Sequence, residues 1–237
     1  MSEKTASLIG ASGLVGGELL SLLLDDDYFQ KVRILIRRPF AMNHPKLEKK
    51  LVDFADADSL LVDLDDSDTV FCAVGTTQKK VKGNKEAYRK VDYDIPVNIA
   101  RYCKIMNCKN YVLVSAVGAD SKSGNFYLKL KGEVEEIVKK VGLESTYIMR
   151  PSILLGNRNE FRFGERVTIP LMKKISFLLP SKYKPIEARD VAKAMLAAAK
   201  DHKKGFFVCE YKEMKRLGRD INTPHNTSNG VDIRNDH

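Results

Sequence analysis

Over the first 150 residues, short uninterrupted apolar runs alternate with stretches in which apolar residues recur every three or four positions. Continuous runs suit strands buried on both faces, and the 3.6-residue repeat suits helices packed on them. Residues 5–9 (Thr-Ala-Ser-Leu-Ile) form the first strand and stop at Gly10. Val15, Leu19, Leu20, Leu22, Leu23 and Leu24 then define a helix that Asp25-Asp26-Asp27 ends. Further strands are predicted over Val32–Ile36, Lys50–Phe54, Thr69–Val74, Tyr111–Val114 and Ser145–Met149, and further helices over 92–106 and 126–141. Strands alternating with helices in this way imply an α/β fold: a doubly wound parallel sheet with helices on both faces.

From residue 151 the pattern loosens. Residues 151–215 are expected to form a small C-terminal region covering a substrate. Within it, 171–180 form a basic amphipathic segment that continues to about 184 and roofs a pocket; its shortness disfavours a membrane-surface role. An alanine-rich helix is predicted over 187–200. The stretch 219–237, nearly free of large apolar residues, is expected to be a disordered tail. Residues 1–218 thus read as a single domain.

Composition narrows the partners. The chain has 237 residues, 43% hydrophobic and 30% charged, with a formal net charge of +9. Its 40 basic residues are scattered among 31 acidic ones without long like-charged runs, and no nucleic-acid-binding motif is present, so no nucleic-acid partner is expected. An anionic cofactor is a more economical use of the positive charge. Four cysteines without a CxxC pair and four dispersed histidines give neither metal-site spacing nor a disulfide framework. The N-terminus does not resemble a signal peptide, and no run approaches the ~18 apolar residues that suggest a membrane span. The expectation is a soluble, cytoplasmic protein with no metal.

The strongest chemical signal is Gly10-Ala11-Ser12-Gly13-Leu14-Val15-Gly16, between the first strand and first helix. In that position GxxGxxG permits a tight turn, lets backbone amides approach a pyrophosphate, and packs helix closely on strand. Gly10, Ser12, Gly13, Leu14, Val15 and Gly16 are therefore candidate cofactor contacts. At the end of the second strand a carboxylate would favour NAD, whereas arginine pairs with the 2′-phosphate of NADP. Arg37 and Arg38 stand there, which points to NADP, with NAD the second choice. Asp53 and Phe54 after the third strand are placed to border the adenine, and Ala73, Val74 and Gly75 after the fourth to approach the cofactor.

Ser115 ends the fifth strand, and Tyr127 and Lys131 follow with the i, i+4 spacing that puts both on one helix face. An ammonium beside a phenol favours the phenolate and so tunes a tyrosine for proton transfer. Lysine can also donate to the nicotinamide ribose, and serine can hydrogen-bond a substrate oxygen. Alone, YxxxK is weak; Ser115 and the upstream glycine loop give it weight.

These residues resemble the short-chain dehydrogenase/reductase superfamily, and within it the atypical branch of Tat-interacting protein TIP30-like NAD(P)-binding proteins. The resemblance rests on Gly10–Gly16, Phe71–Thr77, Val114–Asp120, Asn125–Glu135 and Arg150-Pro151-Ser152, and extends over about residues 5–215. It implies a Rossmann fold, NADP bound through Gly10, Gly13, Gly16 and Arg37, and a catalytic Ser115/Tyr127/Lys131 set. It also implies Pro151 and Ser152 near the nicotinamide. In one departure, Asp92 stands where many members have an asparagine that completes a proton relay. Three functions follow as alternatives. The first is an NADPH-dependent oxidoreductase of a small carbonyl or alcohol. The second is an NADP-sensing regulatory protein with a protein partner, and the third is an NAD-dependent nucleotide-sugar epimerase or dehydratase, which the short chain disfavours.

Overall fold

The structure, a computed structural model, describes residues 3–76, 81–156 and 180–220. The apolar runs become neighbouring strands. β1 (Thr5–Ile9) and β4 (Thr69–Cys72) are buried at every position. With β2 (Lys31–Ile36), β3 (Leu47–Leu51), β5 (Asn110–Val114), β6 (Ser145–Met149) and β9 (Gly205–Cys209) they form one sheet of order β3-β2-β1-β4-β5-β6-β9. Every neighbouring pair is parallel. A short parallel pair, β7 (Leu154–Leu155) with β8 (Ile186–Glu187), stands apart.

Helices cover both faces, as a parallel sheet requires. On one face α1 (Leu14–Asp25) packs with α6 (Ala188–Lys200) and α7 (Tyr211–Asp220) through Leu19, Leu23, Val191, Met195 and Leu217. On the other, α2 (Ala57–Leu64), α4 (Ile95–Ile105) and α5 (Phe126–Val141) contribute Leu60, Leu64, Ile99, Val134 and Val138. The strand order reverses between β1 and β4, where doubly wound sheets open a crevice at the carboxyl ends of their strands. This Rossmann-type architecture confirms the expected fold class.

Some boundaries differ from the sequence expectation. The third strand lies at 47–51 instead of 50–54, in register from Val32↔Leu47 to Ile36↔Leu51. It is an edge strand whose residues are half-exposed or exposed, so no apolar run marks it. The expected helix over 92–106 is α4 preceded by α3 (Lys85–Arg89) and a π turn (Lys90–Asp94). Asn84 caps α3, its side-chain oxygen accepting from the Ala87 N–H at 3.0 Å. β9 and α7 are additions, and α7 runs to Asp220, past the expected start of the tail at 219. Positions 171–179 of the amphipathic segment and 221–237 of the tail lie outside the described residues. Among the described residues no helix is long and apolar enough to cross a membrane, and no cluster of potential metal ligands occurs.

Candidate functional site

The glycine loop sits at the crevice. Gly10 has φ +96°, and a Cβ there would lie 2.7 Å from the Ala73 carbonyl carbon. A Cβ on Gly16 would overlap the Gly10 carbonyl oxygen and come within 2.7 Å of its carbon. The loop, the start of α1 and the end of β4 therefore meet backbone to backbone. The Gly13 N–H donates to Gly10 O at 2.9 Å, closing the turn. Gly13 is the N-cap of α1, with no side-chain cap and no acidic residue in the first turn. Such a helix start presents N–H donors and partial positive charge to an anion. Ser12 and Gly13 are exposed, Leu14 half-buried and Val15 buried against the core. The loop fits a pyrophosphate.

Arg37 and Arg38 follow β2, both exposed, and neither makes an ion pair among the described residues. Arg33, inside the same strand, is instead buried and bound to Glu48 at 2.6 Å. Asp53 is exposed, and its carboxylate accepts from the Ala55 N–H at 2.9 Å; Phe54 is half-buried beside it. Ala73 extends β4, its N–H donating to Ile9 O at 2.8 Å, and Val74 and Gly75 follow towards the crevice.

Asn125 opens α5, its side chain accepting from the N–H groups of Tyr127 and Leu128 at 3.0 and 3.1 Å. The helix then presents Tyr127 and Lys131 together, with the Lys131 ammonium 6.0 Å from the Tyr127 ring centroid. Tyr127 is half-buried and meets the buried Tyr88 edge to face at 6.4 Å. Lys131 is buried and pairs with Asp92 Oδ1 at 3.0 Å, the two side chains only 5% and 1% exposed. Burial alone disfavours the ammonium, but the Asp92 carboxylate and Tyr127 outweigh it and raise Lys131 above the ordinary lysine value. The second oxygen of Asp92 accepts from the Thr76 N–H at 2.7 Å. The Tyr88 hydroxyl donates to the Thr76 carbonyl at 3.3 Å, so the segment after β4 is held from both sides.

Ser115 occupies the end of β5 as expected, its N–H donating to Met149 O at 2.7 Å. Its hydroxyl, however, donates to the carboxylate of Glu135, one turn beyond Lys131 on α5. Arg150 holds the same carboxylate through Nε at 3.0 and 3.1 Å and through Nη2. Those bonds to Glu135, outweighing burial, raise the Arg150 guanidinium still further. The sequence analysis assigns Glu135 no role, and the i, i+4, i+8 spacing of Tyr127, Lys131 and Glu135 is the signal that points to it. Gly132 permits this packing, because a Cβ there would collide with the Asp120–Ser121 backbone that follows Ser115. Pro151 is buried and its carbonyl accepts from the Val117 N–H at 2.9 Å. The Ser152 hydroxyl donates to the Lys184 carbonyl, tying the end of β6 to the segment before β8.

A Rossmann sheet with an open glycine loop at its switch point defines a dinucleotide-binding protein. The model of the NAD(P)H-binding family matches residues 10–202, and the chain belongs to that family. It is 31% identical over 231 residues to Protein HTATIP2 of Rattus norvegicus, covering 94% of this chain and 93% of that relative. It is 37% identical over 167 residues to Protein fmp52, mitochondrial, of Aspergillus clavatus, covering 67% and 70%. Among solved structures, UDP-N-acetylglucosamine 4-epimerase from Methanobrevibacter ruminantium M1 is similar at TM-score 0.68 and 20% identity, covering 93% of this chain and 82% of that one. MoeE5 in complex with UDP-glucose and NAD gives TM-score 0.67 at 14% identity, with coverage of 92% and 82%. These two likenesses bear on the fold alone.

Proposed function

We propose that this protein is an NADPH-dependent oxidoreductase of a small carbonyl or alcohol, with Tyr127 as the proton donor and acceptor. The observation that carries the reading is the buried Lys131 ammonium, 6.0 Å from the Tyr127 ring and paired with Asp92, whose carboxylate also holds the Thr76 N–H just after β4. When bound, the reduced dinucleotide supplies the hydride. Gly10, Ser12, Gly13 and the first amides of α1 hold its pyrophosphate, and Arg37 with Arg38 the 2′-phosphate. Asp53 and Phe54 would border the adenine, the backbone of Ala73, Val74 and Gly75 would approach the cofactor, and Pro151 and Ser152 would lie towards the nicotinamide. Lys131 donates to the ribose and favours the phenolate left when the Tyr127 hydroxyl gives its proton to the substrate oxygen.

Ser115 enters this scheme differently from the expectation that it donates to a substrate carbonyl. A serine hydroxyl has one proton and two lone pairs, and here the proton goes to a carboxylate. Ser115 therefore offers acceptor lone pairs, to an alcohol or to the Tyr127 hydroxyl. That commitment is also what favours the second reading, an NADP-sensing regulatory protein in which the site is occupied and not turned over.

NADPH oxidation over a panel of small aldehydes and ketones separates the readings. A Tyr127→Phe variant is expected to lose activity by about 10²–10⁴-fold while retaining NADPH affinity. Turnover unaffected by the substitution removes the mechanism, and tight NADPH binding without turnover of any carbonyl selects the regulatory reading. A nucleotide-sugar epimerase would convert a UDP-sugar with no net change in the dinucleotide, so incubation with NAD and UDP-glucose, read by analysis of the sugar product, tests it.

A further inference from the structure

Residue 92 is an aspartate between two hydrogen-bond donors. The Lys131 ammonium lies at Oδ1 and the Thr76 backbone N–H at Oδ2, 3.0 and 2.7 Å away. A carboxylate accepts at both oxygens; an asparagine accepts at one and would turn its NH₂ against the other donor. The geometry points to Asp92 as the positioning residue of the site, a direct buried anchor that fixes the Lys131 ammonium and the segment after β4 with one carboxylate. This rests on the dinucleotide reading above and deepens it. With both oxygens engaged by donors, Asp92 acts by holding Lys131 in place and not by passing a proton onward.

The surroundings of Lys131 leave little else to hold its charge. Asp92 faces it from the π turn, Tyr127 from its own helix and the Cys72 thiol from the end of β4. Asp92 is the carboxylate among them, and it is 1% exposed, so solvent does not screen the pair. The π turn supplies the placement: its extra residue lets the chain aim both Tyr88 and Asp92 at the Thr76 segment.

Two measurements on Asp92→Asn test the assignment. In the first, the ¹³Cε shift of Lys131 is titrated in the dinucleotide-free protein, with Lys131→Met fixing the resonance assignment. Removal of an adjacent opposite charge is expected to lower the Lys131 midpoint by about 1–3 units. In the second, NADPH dissociation constants are measured from pH 6 to 11, and the alkaline loss of affinity is expected to move down by the same interval. The double variant Asp92→Asn/Lys131→Met removes both charges, so it folds without a lone buried ion and shows no such alkaline step. Coincident lysine midpoints in wild type and Asp92→Asn overturn the anchor, and a moved midpoint with an unmoved affinity profile overturns its part in positioning for the cofactor. If wild type binds neither NADPH nor NADH, the dinucleotide reading falls, and the lysine midpoint still decides whether Asp92 holds Lys131.

Discussion

The two sides of the crevice are built by opposite means. Around β1 the site is made of backbone and of side chains left out: Gly10, Gly13 and Gly16 bring a strand end, a turn and a helix start into contact. The arginines beyond β2 are exposed and unpaired among the described residues. Around β4, β5 and β6 the site is made of buried charge. Asp92 with Lys131, and Glu135 with Arg150 and Ser115, hold one another across elements far apart in sequence. The first side has few alternative arrangements, because a methyl group does not fit. The second holds its shape only while no charge is left without its partner, since a buried ion without its counter-charge is expensive.

Substitutions on each side should therefore fail differently. The largest effect is expected from Gly16→Ala, whose methyl would press on the Gly10 carbonyl 2.7 Å from its carbon. Relieving it must move α1 off the loop, and thermal denaturation is expected to show a loss of about 3 kcal/mol or more together with loss of dinucleotide binding. Retention of wild-type affinity would show that the loop does not need that contact. Next comes Glu135→Ala, which strips Arg150 of its counter-charge and Ser115 of its acceptor. Because the Arg150 side chain is 23% exposed, the low end of the buried-pair range applies, about 3 kcal/mol by urea denaturation. Glu135→Ala/Arg150→Met, leaving no unpaired charge, is expected to recover part of that loss; failure to do so would mean that packing dominates.

Smaller and more selective is Arg37→Ala/Arg38→Ala. With no ion-pair partners among the described residues to lose, it should leave stability unchanged and weaken NADPH about tenfold or more while sparing NADH. Equal losses for the two dinucleotides would refute the 2′-phosphate assignment. The smallest expected effect is on alkaline stability. The folded protein holds the Lys131 proton more tightly than the unfolded chain does. The contribution is therefore complete below the unfolded lysine value of about 10.4 and fades as pH rises through the higher folded value. The neutral pair Asp92→Asn/Lys131→Met should lack that final alkaline decline in a pH series of melting temperatures.

The same contrast explains what could be read from the chain. Glycines at fixed spacing after an apolar run are local signals, so the loop at Gly10–Gly16, the helix Phe126–Val141 and the strand Ser145–Met149 were legible. β3 was displaced because Leu47–Leu51 is an edge strand with charged residues at three of five positions and Leu51 exposed at 66%. β9 went unseen: its burial alternates weakly, and its place beside β6 depends on pairing across 56 residues from Met149 to the start at Gly205. The Tyr127 and Lys131 spacing located a helix face. It did not reveal that Glu135 continues that face inward or that Asp92 reaches it from another element. Charged residues are ordinarily at the surface, and only the partner, remote in sequence, reverses the expectation.

The π turn at Lys90–Asp94 makes helix phase a variable of the site. An α-helix turns each residue by about 100°, so deleting one residue between Tyr88 and Asp92 would rotate everything after the cut by that angle relative to α3. The Tyr88 hydroxyl and the Asp92 carboxylate, which now grip the two sides of Thr76, would face different directions. Chain length in this stretch thus behaves like the tooth count of a gear: a change of one does not loosen the mesh slightly but disengages it, and the lysine loses its anchor while every side chain of the site is still present.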